Sequence, residues 1–303
     1  MKILVLGSGG FIGRVVVSVL LHNHDVYQGD RISDCSNNSI EVDLLDQDSV
    51  VSVLKSIQPE IIINCAGTVE NSEKALLMNP IITMNILQAA AVIELSLKKL
   101  IISGSAGEYG IVKKSGPVDE DTPLMGNSFY ARSKVLESSV ALALSKSFNI
   151  PVIVARIFNP IGVGMHPRFL LPNLIKQVEE VKGGTRKEIE LSRLDAQRDY
   201  VNIIDIAEAI KILVENDCPH SVYNIGTGSP VSNEQLLSGI LRHQGLDVKD
   251  LTIIETASKP EPNYAINADV SRMKADFGWN AKHSIDNTIV EVAEELLSER
   301  GLV

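Results

Sequence analysis

Residues 2–21 read KILVLGSGGFIGRVVVSVLL, and the glycines that interrupt this apolar run decide how the chain folds. Lys2 to Leu6 is a short β-branched and leucine run ended by glycine. It is too brief for a helix and apolar on both faces, which predicts a buried parallel strand. Arg14 to Leu21 then follows a helical pattern. A strand, a tight glycine turn and a helix N-terminus make an anion site, because backbone N–H groups point at a diphosphate and the helix dipole favours its charge. Gly7, Gly10 and Gly13 stand at GxxGxxG spacing, with Gly9 also in the turn and Phe11 and Ile12 between the last two. Glycine-rich turns also serve as plain connectors, so the spacing alone leaves both readings open. The same glycines break the run too soon for a signal peptide, and no small-residue cleavage site follows.

Further along, HDVYQGD at 24–30 reads as the second strand. It places Asp30 about 20 residues beyond the glycines, where a carboxylate can accept hydrogen bonds from an adenosine ribose. That predicts NAD; Arg31 keeps NADP open, since a guanidinium pairs with a 2′-phosphate. EVDLLD (41–46) and IIINCAG (61–67) follow as two more strands, whose C-terminal ends face the same crevice. Asp43, Leu44, Cys65, Ala66 and Gly67 are therefore candidate cofactor contacts. Asp43 also reads as the cap of a helix over 47–57. Alternating strands and helices through residue 160 predict an α/β fold, a doubly wound parallel Rossmann sheet with helices on both faces.

The 303 residues, 45% hydrophobic and 22% charged, suffice for a full core. A net charge of -10 argues against nucleic acid and anionic membranes as partners, so an anionic ligand needs a local cation. Cys35, Cys65 and Cys218 lie far apart with no CxxC and no histidine cluster, which predicts neither disulfides nor a metal site and fits a cytoplasmic protein. No stretch reaches the roughly 18–20 unbroken apolar residues that span a bilayer.

ISGSAGEYG at 102–110 supplies another strand end and puts Ser105 in a small turn. FYARSKVLESSVALAL at 129–144 reads as a helix in which Tyr130 and Lys134, four apart, share one face. A tyrosine hydroxyl ordinarily titrates near about pH 10, and a neighbouring ammonium favours its phenolate, making it a usable acid or base. Isolated YxxxK pairs are common on exposed amphipathic helices; the glycines, Asp30 and Ser105 together point to chemistry.

With these motifs, the chain resembles the extended short-chain dehydrogenases/reductases, in their NAD-dependent epimerase/dehydratase branch. The resemblance extends through ARIFNPIGVG (155–164), QRDYVNIIDIAEAI (197–210), VYNIGTG (222–228) and NADVSRMKADFGW (267–279). It implies Ser105, Tyr130 and Lys134 as catalytic groups. It adds Asn85, Ser103 and Phe158 to the cofactor contacts, with Asn85 helping to position the lysine. It implies a nucleotide-diphosphate sugar as partner, met by Asn159, Asn173, Lys176, Arg198 and Glu261, and a homodimer. Arg156 is expected to be structural, Asp205 a helix cap and Trp279 core packing. The cofactor domain is expected at 1–160 plus about 200–224 and 264–280, and a smaller discontinuous substrate domain at about 161–199, 225–263 and 281–303.

The Ser105 turn narrows the reaction. Related 4,6-dehydratases carry Thr-Asp-Glu there, whereas this chain has Ser105, Ala106 and Gly107, and neither alanine nor glycine transfers a proton. Glu108 stands where the family has valine. What remains is 4-keto reduction or 4-epimerisation. The turn NPIGVG and the helix ending before QRDY most resemble GDP-4-keto-6-deoxymannose reductases, so NAD(P)H-dependent reduction of a nucleotide-linked 4-keto-6-deoxyhexose is the leading expectation. A UDP-glucose 4-epimerase-like activity is the alternative, and a non-catalytic dinucleotide-binding protein the outer one.

Overall fold

The computed structural model describes residues 1–32, 38–112, 116–256 and 266–298. Its centre is a seven-stranded sheet in the order Val222–Ile225, Val152–Ile157, Lys99–Ser105, Ile61–Asn64, Lys2–Leu6, Asp25–Asp30, Ser39–Glu41, with every pairing parallel. The strand order reverses between Lys2–Leu6 and Ile61–Asn64, which opens a crevice at the strands' carboxyl ends.

Period-two alternation explains why both faces are covered. Ile3, Val5, Ile61 and Ile63 enter one core with the Phe11–Leu20 and Ile203–Glu215 helices, while Leu4, Leu6 and Ile62 enter a second beneath the Gln47–Ile57, Met78–Val92 and Phe129–Phe148 helices. The Phe11–Leu20 helix buries Gly13, Val16, Val17 and Leu20, one stripe at helical spacing. Trp279 lies in the first core.

A third apolar cluster, including Ile161, Leu171, Leu174, Leu236, Ile240 and Ile289, joins the Leu170–Lys182, Asn233–Gln244 and Ile285–Ser298 helices. Three two-stranded pairs flank it: Asn159–Ile161 with Tyr200–Asn202, Glu188–Leu191 with Thr252–Glu255, and Gln197–Arg198 with Val231–Ser232. Among the described residues no helix is long and apolar enough to cross a membrane.

Three local expectations need correction. The strand expected over 41–46 ends at Glu41, and the residues after it turn. The cap of the Gln47–Ile57 helix is Asp46, which accepts from the Asp48 N–H; Asp43 instead accepts from the Leu45 N–H at 2.9 Å, closing that turn. The Ile203–Glu215 helix is capped by Asn202, not Asp205. Asp205 lies a turn too deep to cap and accepts from the backbone N–H groups of Lys282 and His283 at 3.1 and 2.9 Å, and its carboxylate meets the His283 ring. It thereby moors the segment that leads into Ile285–Ser298.

Candidate active site

The glycine turn is a cradle that side chains would fill. Gly7 has a left-handed φ of 72°, and a Cβ there would lie 2.6 Å from the Ala66 nitrogen. Gly13 packs so directly on the Gly7 carbonyl that no Cβ fits between helix and turn. The Gly10 N–H closes the turn on Gly7 O at 3.1 Å, and no side chain caps the helix that begins there. Asp30 faces the same turn: its Oδ2 accepts from the Gly9 N–H at 2.9 Å and its Oδ1 from the Arg31 N–H at 2.7 Å. An uncapped helix N-terminus behind bare glycines, with a carboxylate beside it, fits a dinucleotide's diphosphate and ribose. Phe11 and Ile12 are half-buried against the first core, and Arg31 is exposed.

Across the crevice, the Cys65 N–H bonds to Leu6 O, and the Ala66 N–H to Asn64 Oδ1 at 3.1 Å. A Cβ on Gly67 would meet Asn79 Oδ1 at 2.7 Å. Burial pushes the Cys65 thiol up to about 11, against the opposing pull of the Ser103 hydroxyl and Lys134; its sulfur accepts from Ser103 Oγ at 3.6 Å. Two expected contacts stand elsewhere. Phe158 is fully buried and packs on the Tyr109 ring, behind the crevice rather than in it. The Asn85 amide donates to Leu44 O at 2.9 Å and so braces a loop, not the lysine.

Ser105 starts the single helical turn Ala106–Tyr109, and its Oγ accepts from the Gly107 N–H at 3.1 Å. Tyr130 enters from the Phe129–Phe148 helix, which Ser128 caps; the Tyr130 N–H donates to Asn71 Oδ1 at 3.2 Å. A Cβ built on Gly107 would lie 3.3 Å from Ser105 Oγ and 3.7 Å from Tyr130 Cε1. Hydroxyl and phenol ring therefore border one small space beside Gly107. One turn deeper, Lys134 Nζ donates to Ser103 O at 2.6 Å and to Glu137 Oε2. Burial works against the ammonium, but the Glu137 carboxylate and then Tyr130 outweigh it and hold Lys134 above the ordinary lysine range.

Glu108 is fully buried. Its Oε1 accepts from the Ser105 N–H at 2.8 Å, while Oε2 accepts from Ser138 Oγ at 2.9 Å and Arg156 Nε at 3.1 Å. It is thus the buried brace of the Ser105 turn, with no free oxygen edge toward the crevice. Arg156 extends the network to Tyr109 Oη at 3.2 Å and Glu120 O at 2.9 Å, and Tyr109 donates to Asn224 Oδ1 at 2.7 Å. Sequence reasoning missed Glu137; its i+3 spacing from Lys134 was the available signal.

The substrate candidates are dispersed. Asn159 donates through Nδ2 to Asp199 O at 3.0 Å. Asn173 Oδ1 accepts from Gln177 at 2.6 Å, and exposed Lys176 lies 3.7 Å from Glu180. Arg198 is exposed on its short strand. Glu261 lies outside the described residues, as does the Lys259-Pro260 pair before it. Beside Arg198, buried Asp199 accepts from the backbone of Thr227, Gly228 and Ala268 at 2.8–2.9 Å, knotting three motifs together.

The family model described as "NAD dependent epimerase/dehydratase family" matches residues 3–226. The chain belongs to this family. The UDP-glucose 4-epimerase of Bacillus subtilis (strain 168) is 26% identical over 322 residues, covering 94% of each chain. The crystal structure of a UDP-glucose 4-epimerase with UDP-glucose from Thermotoga maritima superposes with a TM-score of 0.87 at 22% identity, over 99% of this chain and 100% of the other. A dTDP-glucose 4,6-dehydratase from Bacillus anthracis in complex with NAD superposes at 0.85 with 24% identity, over 100% and 98%. Epimerase and dehydratase share this fold, so membership of the epimerase/dehydratase family defines the scaffold and the site chemistry must select the reaction.

Proposed function

We propose that the protein is an NAD-dependent sugar-nucleotide 4-epimerase that interconverts UDP-hexoses differing at carbon 4. The observation that carries this is the turn in which Ser105 and Tyr130 border one space while Ala106 and Gly107 offer no second acid or base. Such a site can move one proton at one carbon, as epimerisation requires, and cannot drive elimination of water across two. The curated relatives, UDP-glucose 4-epimerases over nearly their whole length, favour this over the 4-keto reduction first expected from the sequence.

Gly7, Gly10, Gly13 and Asp30 would hold the dinucleotide, with Lys134 beneath its reactive end. Bound NAD supplies the hydride acceptor and, in the return half, the donor. Ser105 would orient the C4 oxygen by hydrogen bonding. Tyr130 takes the C4 hydroxyl proton as the carbon is oxidised and returns it when the ketone is reduced on its other face. Lys134 keeps positive charge next to that proton transfer. The third apolar cluster would core a sugar-binding lobe built from the 161–199, 225–256 and 281–298 segments, and the active form would be a homodimer.

Incubating the purified protein with UDP-glucose tests this reading. UDP-galactose should form with no net change in NADH absorbance, and Tyr130→Phe should abolish turnover while leaving NADH binding intact. Stoichiometric consumption of NADH with a 4-keto sugar nucleotide, and no epimerisation, would make it a reductase.

A further inference from the structure

We propose that Glu137 is a positioning residue that holds Lys134 as an ammonium aimed at the dinucleotide. This rests on the reading that Lys134 serves the bound cofactor. Lys134 and Glu137 stand three apart on one helix face, with side chains 8% and 1% exposed. Ser103 O and Glu137 Oε2 are the ammonium's hydrogen-bond acceptors among the described residues. An ammonium carries three N–H donors, so the third is left for a ligand hydroxyl.

Glu137 is itself held. Its Oε1 accepts from Thr83 Oγ1 at 2.9 Å, Thr83 Oγ1 accepts from Asn64 Nδ2 at 3.3 Å, and Asn64 Oδ1 accepts from the Ala66 N–H at 3.1 Å. The chain runs from the ammonium, across the Met78–Val92 helix, to the strand end that floors the crevice. The other charged or titratable neighbours are few: Tyr130 on the same helix, Glu108 below the Ser105 turn and paired with Arg156, and Cys65 behind Ser103. Two buried cations thus face two buried carboxylates. Removing the Glu137 charge takes away the strongest support against burial at Lys134 and leaves Tyr130 and Glu108, and a buried lysine that loses its nearest counter-charge gives up its proton at lower pH.

The test is Glu137→Gln, which keeps the shape and an oxygen for the ammonium. NADH affinity, read by its fluorescence, and turnover of UDP-glucose are both followed against pH. The alkaline limb of each profile should move down by about one pH unit. The KM for UDP-glucose should stay near wild type, and Glu137→Asp, charged but shorter, should fall between the two. Limbs that coincide with wild type in folded Glu137→Gln overturn the proposal; if only Glu137→Asp folds, an unmoved limb there does the same. Lys134→Met separates the two levels. If it binds NADH like wild type at every pH, the reading of the site and this inference both fall. If it loses NADH while Glu137→Gln shifts nothing, only the inference does.

Discussion

Replacing Arg156 with methionine tests whether the site's floor is held by charge. Arg156 is 3% exposed and is the ion-pair partner of Glu108, which is 0% exposed. Its guanidinium also donates to Tyr109 Oη and Glu120 O, and lies 5.1 Å from the Tyr109 ring centroid. Methionine keeps the apolar stem and strands the Glu108 carboxylate in the core. Breaking a buried pair from one side costs about 3–5 kcal/mol. Unfolding entropy of about 2.1 cal/mol/K per residue, over 303 residues, amounts to roughly 0.6 kcal/mol/K. The Tm should therefore fall by about 5–8 °C in differential scanning calorimetry. Adding Glu108→Gln should recover about half or more of that loss, because glutamine still accepts from the Ser105 N–H and leaves no buried charge. A single variant melting within about 2 °C of wild type, or a double variant whose losses simply add, would refute the reasoning.

Gly13→Ala pushes a methyl group into the Gly7 carbonyl; overpacking of about 1–3 kcal/mol predicts NADH binding weakened by roughly 5- to 160-fold, and unchanged titration curves would contradict the cradle. Lys134 has a folded-state pKa raised above its ordinary value, so its stabilisation is complete below the unfolded value of about 10.4 and is lost as pH rises through the folded one. The Tm gap between wild type and Lys134→Met should accordingly shrink above about pH 10.5; a constant gap through that window counts against the buried ammonium. Because burial holds the Cys65 thiol at about 11, iodoacetamide at pH 8, about the ordinary thiol range, should label it far more slowly in the folded than in the unfolded chain, as read by mass spectrometry.

What could be read from the sequence was what local chemistry determines. Apolar runs bounded by glycine announced the strands, and the Gly7, Gly10 and Gly13 spacing announced the turn, because backbone conformation and close approach demand glycine at those points. Tyr130 and Lys134 were legible because helical spacing puts them on one face. The two misplaced caps share a cause. Asp43 and Asp46, like Asn202 and Asp205, offer similar side-chain oxygens a few residues apart, and only the backbone angles decide which one caps. The burial of Glu108 and Glu137 was illegible for a different reason. Carboxylates are by default exposed, and their burial depends on Arg156, Ser138, Thr83 and Lys134, three of which come from other parts of the chain or other turns of the fold. Phe158 and Asn85 kept the residue types expected of them but sit where packing, not sequence order, directs them.

The two buried carboxylates also explain how the site keeps its alignment. Glu108 fixes the backbone of Ser105, and Glu137 fixes Lys134. Ser138, next to Glu137 in sequence, donates to Glu108, so the turn and the helix are tied through one hydrogen bond in the core. Shifting either would break bonds to charged groups in a dry environment, where such losses are most costly. Proton-handling groups held this way cannot follow a substrate that moves. Under the proposed epimerisation the sugar must present both faces of carbon 4 to one fixed set of groups, so the freedom to turn has to lie on the sugar side.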